Sequence, residues 1–370
     1  MSQTISADSH ICEPPDLFTS RVDTRYREQA PRLVRRKAGD DNWLFPDGSM
    51  LSLAGFASAG NWQGKTTSAM RFEDVPAGAW DPHARLKEMT IDGVSAEVVY
   101  PSYGMNLFRT VTDAGMQTAC VCAYNDWVRE FCSAAPGRLV GVGILPSLDL
   151  EAALAELRRL AKLGFTNVLI DGHPPIAHYY DDPVWEPLWT ALQETGIYAS
   201  FHLFAGTAPV FDGAPRLNAG ERFLADYTIA PSLLERQFAL MIFAGVLERY
   251  PGLRLLCVEN DAGWAAHFLK RMDHVYLRKG PRYPKGIKSG LLPSDFFKRQ
   301  ISCIFQDDRP GILTLEITGS DCLMWGSDYP HNDSTWPQSQ QVIAEMFREV
   351  PERDRVKITY SNAAKLYNLE

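Results

Sequence analysis

Four short segments of the sequence carry side chains that could bind a metal ion, and each one closes a run of largely apolar residues. They are Asp8-Ser9-His10, Ser200-Phe201-His202, Val258-Glu259-Asn260 and Gly326-Ser327-Asp328-Tyr329-Pro330-His331. Residues two apart in a strand point to the same side, so Asp8 and His10 could reach one ion. Imidazole nitrogens and carboxylate oxygens together suit a divalent ion such as zinc, and equally manganese when oxygens predominate.

Each of these residues has an ordinary structural explanation when it is taken alone. An Asp-x-His pair is commonly a strand-end hydrogen-bonding group, His202 could be a core histidine, and Asp328 could be a turn residue. Their shared position at strand ends favours function, because barrel active sites are assembled at the carboxyl ends of the strands. We therefore predict one divalent ion, zinc in the first place and manganese as the alternative, held by Asp8, His10, His202 and Asp328.

Other polar residues near the same strand ends could take part in binding or proton transfer. Glu259 could carry a proton if burial raises its pKa, or it could hydrogen-bond the loop backbone. Glu13 could support a histidine ligand or cap the turn at Pro14-Pro15. We predict catalytic roles for Asp328, Glu259 and His331, and substrate binding by Glu13, His173 and Tyr329.

The elements that must position these residues alternate between short apolar runs and longer helical patterns, which is typical of βα units around a parallel sheet. The pattern predicts eight strands, at Ile5–Ile11, Glu97–Pro101, Leu139–Leu145, Thr166–Ile170, Tyr198–Leu203, Leu253–Glu259, Ile301–Phe305 and Cys322–Gly326. It predicts helices at Pro82–Ile91, Asp113–Ala134, Leu150–Leu163, Pro183–Thr195, Pro231–Tyr250, Asp261–His274, Gly311–Thr318 and Trp336–Glu349. Eight such units favour an α/β fold of the distorted (β/α)8 TIM-barrel type over a doubly wound sheet.

Two stretches interrupt the alternation and are expected as insertions after strand 1 and before strand 7 of one domain. Residues 18–80 are rich in Gly, Asp, Ser and Trp, and 42–48 within them indicate a small hairpin. Residues 276–299 form a second irregular excursion with several prolines and glycines. Long loops in compact domains are usually functional, so both are expected to act as lids or subunit contacts.

Composition and charge exclude some classes of protein and favour a cytoplasmic enzyme with a small-molecule substrate. The net charge of -8 leaves no basic face to neutralise the phosphates of a nucleic acid. No segment approaches the run of roughly 18 to 20 apolar residues that a membrane span needs. The seven cysteines are an odd number without CxxC spacing, which indicates buried thiols in a reducing compartment.

The sequence also resembles the amidohydrolase-related family of the amidohydrolase superfamily, which includes aminocarboxymuconate-semialdehyde decarboxylase and the γ-resorcylate and 5-carboxyvanillate decarboxylases. The resemblance runs through nearly the whole chain. It rests on residues 8–14, on Arg85-Leu86-Lys87-Glu88-Met89 with Asp92-Gly93-Val94, on residues 124–127 and 136–139, on Tyr250-Pro251-Gly252-Leu253, on residues 326–331 and on the closing Asn362-Ala363-Ala364-Lys365-Leu366-Tyr367.

The resemblance implies a distorted barrel with one divalent metal, commonly in a homodimer. The family's first-strand His-x-His or Glu-x-His falls on Asp8 and His10, its fifth-strand histidine on His202 and its eighth-strand aspartate on Asp328. Two departures stand out. Asp8 has a shorter arm that could reach the ion only through water, and Glu259 stands where several relatives have a sixth-strand histidine that acts as acid or base.

The expected function is therefore a metal-dependent, non-oxidative decarboxylase of an aromatic or unsaturated carboxylic acid. The first alternative is a metal-dependent hydrolase of an amide, ester or C–C bond, in which the ion would lower the pKa of a bound water to give a hydroxide. The replacement of the sixth-strand histidine by Glu259 strengthens this alternative. A non-catalytic binding barrel is a second alternative, although no scaffold needs all four of the predicted ligands.

Overall fold

The computed structural model of the chain describes residues 3–59, 70–174, 178–206, 219–282 and 286–369. Apolar, β-branched runs form its strands, and several are buried along their whole length, as parallel strands covered on both faces must be. In chain order they are β1 (Ile5–Ile11), β2 (Arg32–Arg35), β3 (Asp41–Leu44), β4 (Met50–Ser52), β5 (Ala96–Pro101), β6 (Leu139–Gly141), β7 (Gly143–Ile144), β8 (Asn167–Leu169), β9 (Tyr198–His202), β10 (Leu255–Val258), β11 (Ile301–Phe305) and β12 (Leu323–Trp325).

Eight parallel strand positions form the barrel, and all eight match a predicted strand. On one side β1 pairs with β5 and β5 with β6. On the other side β7, β8, β9, β10, β11 and β12 pair in that order. The third position is split into β6 and β7 at Val142, whose amide still donates to the Val99 carbonyl at 3.0 Å. This break is the distortion of the barrel, and the predicted fold class is confirmed.

The two sheets meet where the segment after β12 crosses β1. The amides of Ser327 and Asp328 both donate to the Asp8 carbonyl at 3.0 Å, and the His10 amide donates to the Tyr329 carbonyl at 2.6 Å. This approach requires a glycine at position 326, because a Cβ there would lie 2.6 Å from Asp8 Cβ. The contact brings the first and last predicted ligands together.

Helices cover the barrel, and three of them begin at an aspartate that caps the N-terminus. The side chains of Asp81, Asp113 and Asp149 each accept a backbone N–H from the first turn. In chain order the helices are α1 (Leu17–Arg21), α2 (Pro82–Asp92), α3 (Leu107–Thr110), α4 (Ala114–Cys132), α5 (Leu150–Lys162), α6 (Glu186–Thr195), α7 (Ala219–Ile229), α8 (Pro231–Phe243), α9 (Val246–Arg249), α10 (Gly263–Lys279), α11 (Pro293–Gln300), α12 (Arg309–Leu313), α13 (Leu315–Thr318), α14 (Ser339–Met346), α15 (Glu352–Val356) and α16 (Asn362–Tyr367).

Each of the eight predicted helices has a helical counterpart in the structure, but several bounds were wrong and further helices are present. The predicted helix 231–250 is broken into α8 and α9, because Gly245 adopts φ 76°. The helices α1, α3, α7, α11, α15 and α16 were not predicted. Residues 276–299 are also less irregular than expected, since they contain the end of α10 and most of α11.

The two insertions take different positions. The hairpin expected at 42–48 is present as β3 and β4, and β2 completes an antiparallel sheet with them. The chain that follows reaches the barrel mouth, where the Ala59 amide donates to the Pro330 carbonyl and the Asn332 amide to the Gly55 carbonyl. The described part of 276–299 packs instead beside α9, where Lys288 and Ser289 donate to the Glu248 carboxylate.

A fully buried arginine ties the barrel mouth together. Arg85, on α2, donates to the His10 carbonyl at 2.8 Å and to the Tyr329 carbonyl at 3.3 Å. Its guanidinium also pairs with Glu97, a buried carboxylate on β5. Burial raises the pKa of Glu97, and the arginine acts against this shift. One side chain therefore fixes the ends of β1 and β12 relative to α2.

We expect Arg85→Met to lower the free energy of unfolding by about 3–5 kcal/mol, because the change leaves Glu97 buried without its cation. Guanidinium denaturation followed by tryptophan fluorescence measures the loss. The matched control is Arg21→Met, which removes an ion pair with Glu130 whose side chains are 34% and 59% exposed. That change is expected to cost about 0–1 kcal/mol. Equal losses in the two variants would contradict the role given to Arg85.

Candidate metal centre

Two histidines face each other at the mouth of the barrel with their free nitrogens in contact. Nδ1 of His10 lies 2.9 Å from the Pro101 carbonyl, and Nδ1 of His202 lies 2.8 Å from the Leu203 carbonyl. A carbonyl only accepts, so each Nδ1 carries the proton and each Nε2 presents a lone pair. The two Nε2 atoms are 3.1 Å apart. Such close lone pairs repel each other unless a cation lies between them.

Three carboxylates converge on the same nitrogens. Asp8 Oδ1 lies 3.5 Å from His10 Nε2, Asp328 Oδ1 lies 3.3 Å from it, and Glu259 Oε2 lies 3.5 Å from His202 Nε2. Among the described residues, none donates a hydrogen bond to the buried carboxylate oxygens of Asp8. Buried acceptors without donors are costly, so these oxygens are suited to a cation.

The electrostatics of the group point to the same conclusion. Burial raises the pKa of Glu259 and Asp328 well above the usual range of a carboxyl, and neighbouring carboxylates add to the effect. Burial lowers the pKa of His10, so this imidazole is neutral. The cluster therefore requires positive charge from bound protons or from a metal ion. Neutral imidazoles with several carboxylates are a donor set that fits a divalent ion.

The ligand atoms form two overlapping groups in which all atoms lie within 4.8 Å of one another. The groups are Asp8, His10, His202 and Glu259, and His10, Glu259, Asp328 and His331. The four residues that we predicted as ligands are thus brought together. An Asp8 carboxylate oxygen lies in the first group, and its contact with an ion, direct or through water, stays a prediction. Glu259, predicted as a proton carrier, lies among the ligand atoms.

The backbone adopts rare conformations at the two acidic residues that end strands. Glu259 follows β10 with φ 52°, and Asp328 follows β12 with φ 57°. A left-handed conformation is unfavourable for a residue with a Cβ, by roughly 1–2 kcal/mol. Strain of this kind persists where the surrounding structure imposes it, and it concentrates at functional sites. Here it turns both carboxylates toward the histidines.

The His331 side chain lies between Asp328 and Ser102 and contacts both. Its Nδ1 lies 2.9 Å from Asp328 Oδ1, its Nε2 lies 3.2 Å from the Ser102 hydroxyl, and its ring stacks on His10 at 3.9 Å. Burial, with the charges of His202 and Arg85, lowers the pKa of His331 to about 3. His331 is therefore neutral near pH 7 and can orient Asp328 without supplying a charged acid.

A cavity of about 340 Å³ opens onto this group of residues. Glu259, His331 and Asp333 are among its lining residues, and the first two belong to the candidate ligand groups. Three aromatic side chains line it: the Phe56 ring lies 5.4 Å from the His331 ring, and Phe204 packs on Tyr227 at 5.1 Å. Phe204 is 47% exposed and has φ 60°, so a large apolar ring is held at the mouth in a strained conformation.

Two residues predicted to bind substrate are not brought to the cavity. The Glu13 carboxylate is buried and accepts the amides of Tyr103 and Gly104 at 3.0 and 2.8 Å. Tyr329 is buried under the Arg85 guanidinium, and its hydroxyl donates to Glu88. Both predictions are corrected: these residues position loops. Their partners lie far away in the sequence, so their local motifs could not show this.

His173 takes a third kind of position. It lines a smaller cavity beside His202, together with Leu203 and Phe204, and lies outside the two ligand groups. Its predicted role in substrate binding stays a prediction. The reasoning from sequence missed Ser102, Phe204 and Asp333, although each stands within two residues of a strand end or of a predicted site residue. It also missed the wall residue Phe56, which no local signal marks.

The fold and the site define a class: a distorted (β/α)8 barrel that carries a cluster of candidate metal ligands at the carboxyl ends of its strands. A family model described as amidohydrolase matches residues 43–369. The chain therefore belongs to the amidohydrolase family, and the resemblance noted from the sequence is confirmed. Among the described residues, no helix is both long and apolar enough to cross a membrane.

Individual relatives agree with this assignment. The chain is 25% identical over 347 residues to the γ-resorcylate decarboxylase of Rhodococcus jostii, covering 90% of this chain and 98% of the relative. An amidohydrolase structure from Mycobacterium avium subsp. paratuberculosis matches with a TM-score of 0.81 at 19% identity, over 99% of each chain. The 5-carboxyvanillate decarboxylase of Novosphingobium aromaticivorans matches with a TM-score of 0.72 at 19% identity, over 99% of this chain and 96% of its own. These two structures support the fold.

We expect the purified protein to hold about one divalent ion per chain, and His202→Ala to hold less than about a tenth of that after dialysis. The change removes one of two nitrogens that face the ion. Inductively coupled plasma mass spectrometry measures the content. His267→Ala, an exposed histidine on α10, is the matched control and should retain the wild-type content. Equal metal content in the two variants would exclude His202 as a ligand.

Metal binding is also expected to release protons, and to release more of them at about pH 6 than at about pH 8. The raised pKa values of Glu259 and Asp328 mean that these carboxyls hold protons in the ion-free protein, and a cation must displace them. The affinity should therefore rise with pH. Calorimetric titration in two buffers with different heats of ionisation measures the release. A heat that does not depend on the buffer, at either pH, would contradict this account.

Proposed function

We propose that the chain is a divalent-metal-dependent decarboxylase that acts on an aromatic carboxylic acid without net oxidation. The observation that carries the proposal is the cavity with aromatic walls that ends on the candidate ligands. Planar rings suit such walls, since aromatic contacts add specific geometry to the burial of apolar surface. A carboxylate at the inner end would meet the cation that the cluster requires.

The relatives support the same chemistry. The curated protein from Rhodococcus jostii is named γ-resorcylate decarboxylase, and a further relative from Dictyostelium discoideum is named 2-amino-3-carboxymuconate-6-semialdehyde decarboxylase. The structure from Novosphingobium aromaticivorans is a complex with manganese and 4-hydroxy-3-methoxy-5-nitrobenzoic acid. A substituted aromatic acid is therefore our first choice of substrate class.

Asp8, His10, His202 and Glu259 would hold the ion, with Asp328 at the edge of the group. The sequence favoured zinc, but the position of Glu259 makes the donor set richer in oxygen than expected. Oxygen-rich sets suit manganese, whereas zinc in proteins is bound mostly by nitrogen and sulfur. We therefore propose manganese as the working ion and zinc as its competitor.

The proposed reaction breaks the bond between a ring carbon and the carboxyl carbon. The electron pair stays on the ring carbon, carbon dioxide leaves, and one proton takes its place, so that no oxidant is needed. When bound, a divalent ion supplies stabilisation of the negative charge that builds during this step. Asp328 delivers the proton, and His331 with Ser102 orients its carboxyl group.

Hydrolysis remains the second candidate function, and one observation favours it. Asp328 and Glu259 are both placed to accept a proton from a water in the same pocket. The aromatic wall and the decarboxylases among the relatives favour the first candidate. A non-catalytic barrel is third, since buried like charges without a function would only destabilise the fold.

Product analysis in isotopic water tests the proposal. We expect metal-loaded enzyme to release carbon dioxide from hydroxybenzoic acids and, in deuterium oxide, to place one deuterium on the ring carbon that lost the carboxylate. Mass spectrometry of the product measures the label. Incorporation of oxygen-18 from water, without carbon dioxide release, would support hydrolysis and defeat the proposal.

The variant Asp328→Asn tests the assignment of the proton. We expect kcat to fall by about 10²–10⁴, the usual contribution of a general acid or base, while bound metal is retained. His267→Ala is the control for both measurements. Loss of the metal together with activity would instead assign Asp328 to the ligands alone.

We also propose that the chain forms one domain and assembles as a homodimer in the cytoplasm, without nucleic acid or membrane partners. All seven cysteines are unpaired thiols, and six are buried, which suits a reducing compartment. The described part of 276–299 turns away from the cavity toward α9, which favours a subunit contact over a lid for this segment.

A further inference from the structure

One positively charged side chain lines the same cavity and belongs to neither group of candidate ligands. Arg109 belongs to α3, directly after the loop that follows β5, and its side chain is exposed. Its Nη2 donates to Asn106 Oδ1 at 2.9 Å. Within the described ranges, no carboxylate forms an ion pair with it. The guanidinium thus keeps most of its five N–H donors available.

The described lining residues of the cavity include charged side chains of both signs. The carboxylates of Glu259 and Asp333 stand on the wall beside the metal centre, and Arg109 is the one cationic side chain among the described lining residues. Apolar and aromatic side chains supply much of the remaining wall: Leu51, Phe56, Met105, Leu203, Phe204 and Tyr227. A ligand that spans this cavity would meet a cation at the metal centre and a second one at Arg109.

The guanidinium is also held in place. The side-chain Nδ2 of Asn106 donates to the Tyr103 carbonyl at 3.4 Å. This contact turns the Asn106 Oδ1 atom toward Arg109. Tyr103 in turn is fixed through the contact between its amide and Glu13. The buried Glu13 therefore supports the loop that presents Arg109. An oriented guanidinium loses less entropy when it binds a carboxylate, and it can do so with two parallel hydrogen bonds.

We propose that Arg109 recognises a second carboxylate on the substrate, so that the preferred substrates are aromatic dicarboxylic acids. This inference rests on the proposed decarboxylase function and names the class of substrate that the enzyme prefers. The carboxylate to be lost faces the metal centre, and the second one pairs with Arg109. The apolar wall between them contacts the ring. Arg109 is a specificity-determining residue and takes no part in the proton transfer.

The test compares two substrates that differ only in the second carboxylate, a hydroxy-substituted isophthalate and the matching hydroxybenzoate. In Arg109→Gln we expect the ratio of kcat/KM for the diacid over the monoacid to fall by about tenfold to a hundredfold, mostly through KM. The control is Arg278→Gln, an exposed arginine on α10 outside the cavity, which should leave the ratio unchanged. An equal effect of Arg109→Gln on both substrates, or no effect, would overturn the proposal.

Equilibrium binding separates this inference from the proposed function. Isothermal titration of metal-loaded protein with isophthalate and with benzoate gives the preference for a second carboxylate without any turnover. Absence of carbon dioxide release, with an isophthalate preference that Arg109→Gln abolishes, would defeat the decarboxylase and retain the binding site. Carbon dioxide release with no such preference would retain the decarboxylase and defeat the role of Arg109.

Discussion

Asp8, Glu259 and Asp328 place three carboxylates around two imidazole nitrogens in a space largely closed to water. Like charges at such spacing, with nitrogen lone pairs 3.1 Å apart, destabilise the fold unless a cation joins them. The barrel must therefore hold an arrangement that its own side chains oppose. The left-handed backbone at Glu259 and Asp328 adds conformational strain to this electrostatic cost. Metal binding would remove the repulsion, which is why we regard the site as built for an ion.

The scaffold bears this strain through contacts that lie just outside the cluster. The buried Arg85 binds the carbonyls of His10 and Tyr329, and so joins the ends of β1 and β12. Gly326 lets the chain after β12 pass against Asp8, where any side chain would collide. Backbone carbonyls fix both histidine rings through Nδ1. None of these groups touches the candidate ligand atoms, yet each one limits where they can move. Precise placement of a site on rigid elements is what catalysis by positioning and electrostatics requires.

The sequence predicted which candidate ligands the fold brings together better than it predicted the positions of their neighbours, and the reason is physical. Asp8, His10, His202 and Asp328 were found because strand ends and the period of two are local properties, visible in short apolar runs. The direction of Glu259 depends on a left-handed turn that is rare for glutamate, so the sequence left its role open. Glu13 and Tyr329 were misassigned because their partners are distant in the chain: the amides of Tyr103 and Gly104 for Glu13, and the Glu88 carboxylate for Tyr329. The barrel was predictable from its repeated units, whereas α7 and α11 were not, because they lie in connections that follow no repeat.

Chemistry and specificity reside in different parts of the molecule. The candidate ligands come from the ends of β1, β9, β10 and β12, and the segments at the ends of β1 and β12 also carry the family resemblance. The cavity wall comes from the insertion through Phe56, from the loop after β5 through Arg109, and from the chain after β9 through Phe204. Such connections vary without disturbing the barrel, because they lie on its surface and contribute little to its core. A shared set of ligands therefore indicates the class of reaction, and the substrate must be inferred from the wall. The fixed guanidinium of Arg109 matters for this reason, since its charge distinguishes acids that the metal centre alone would treat alike.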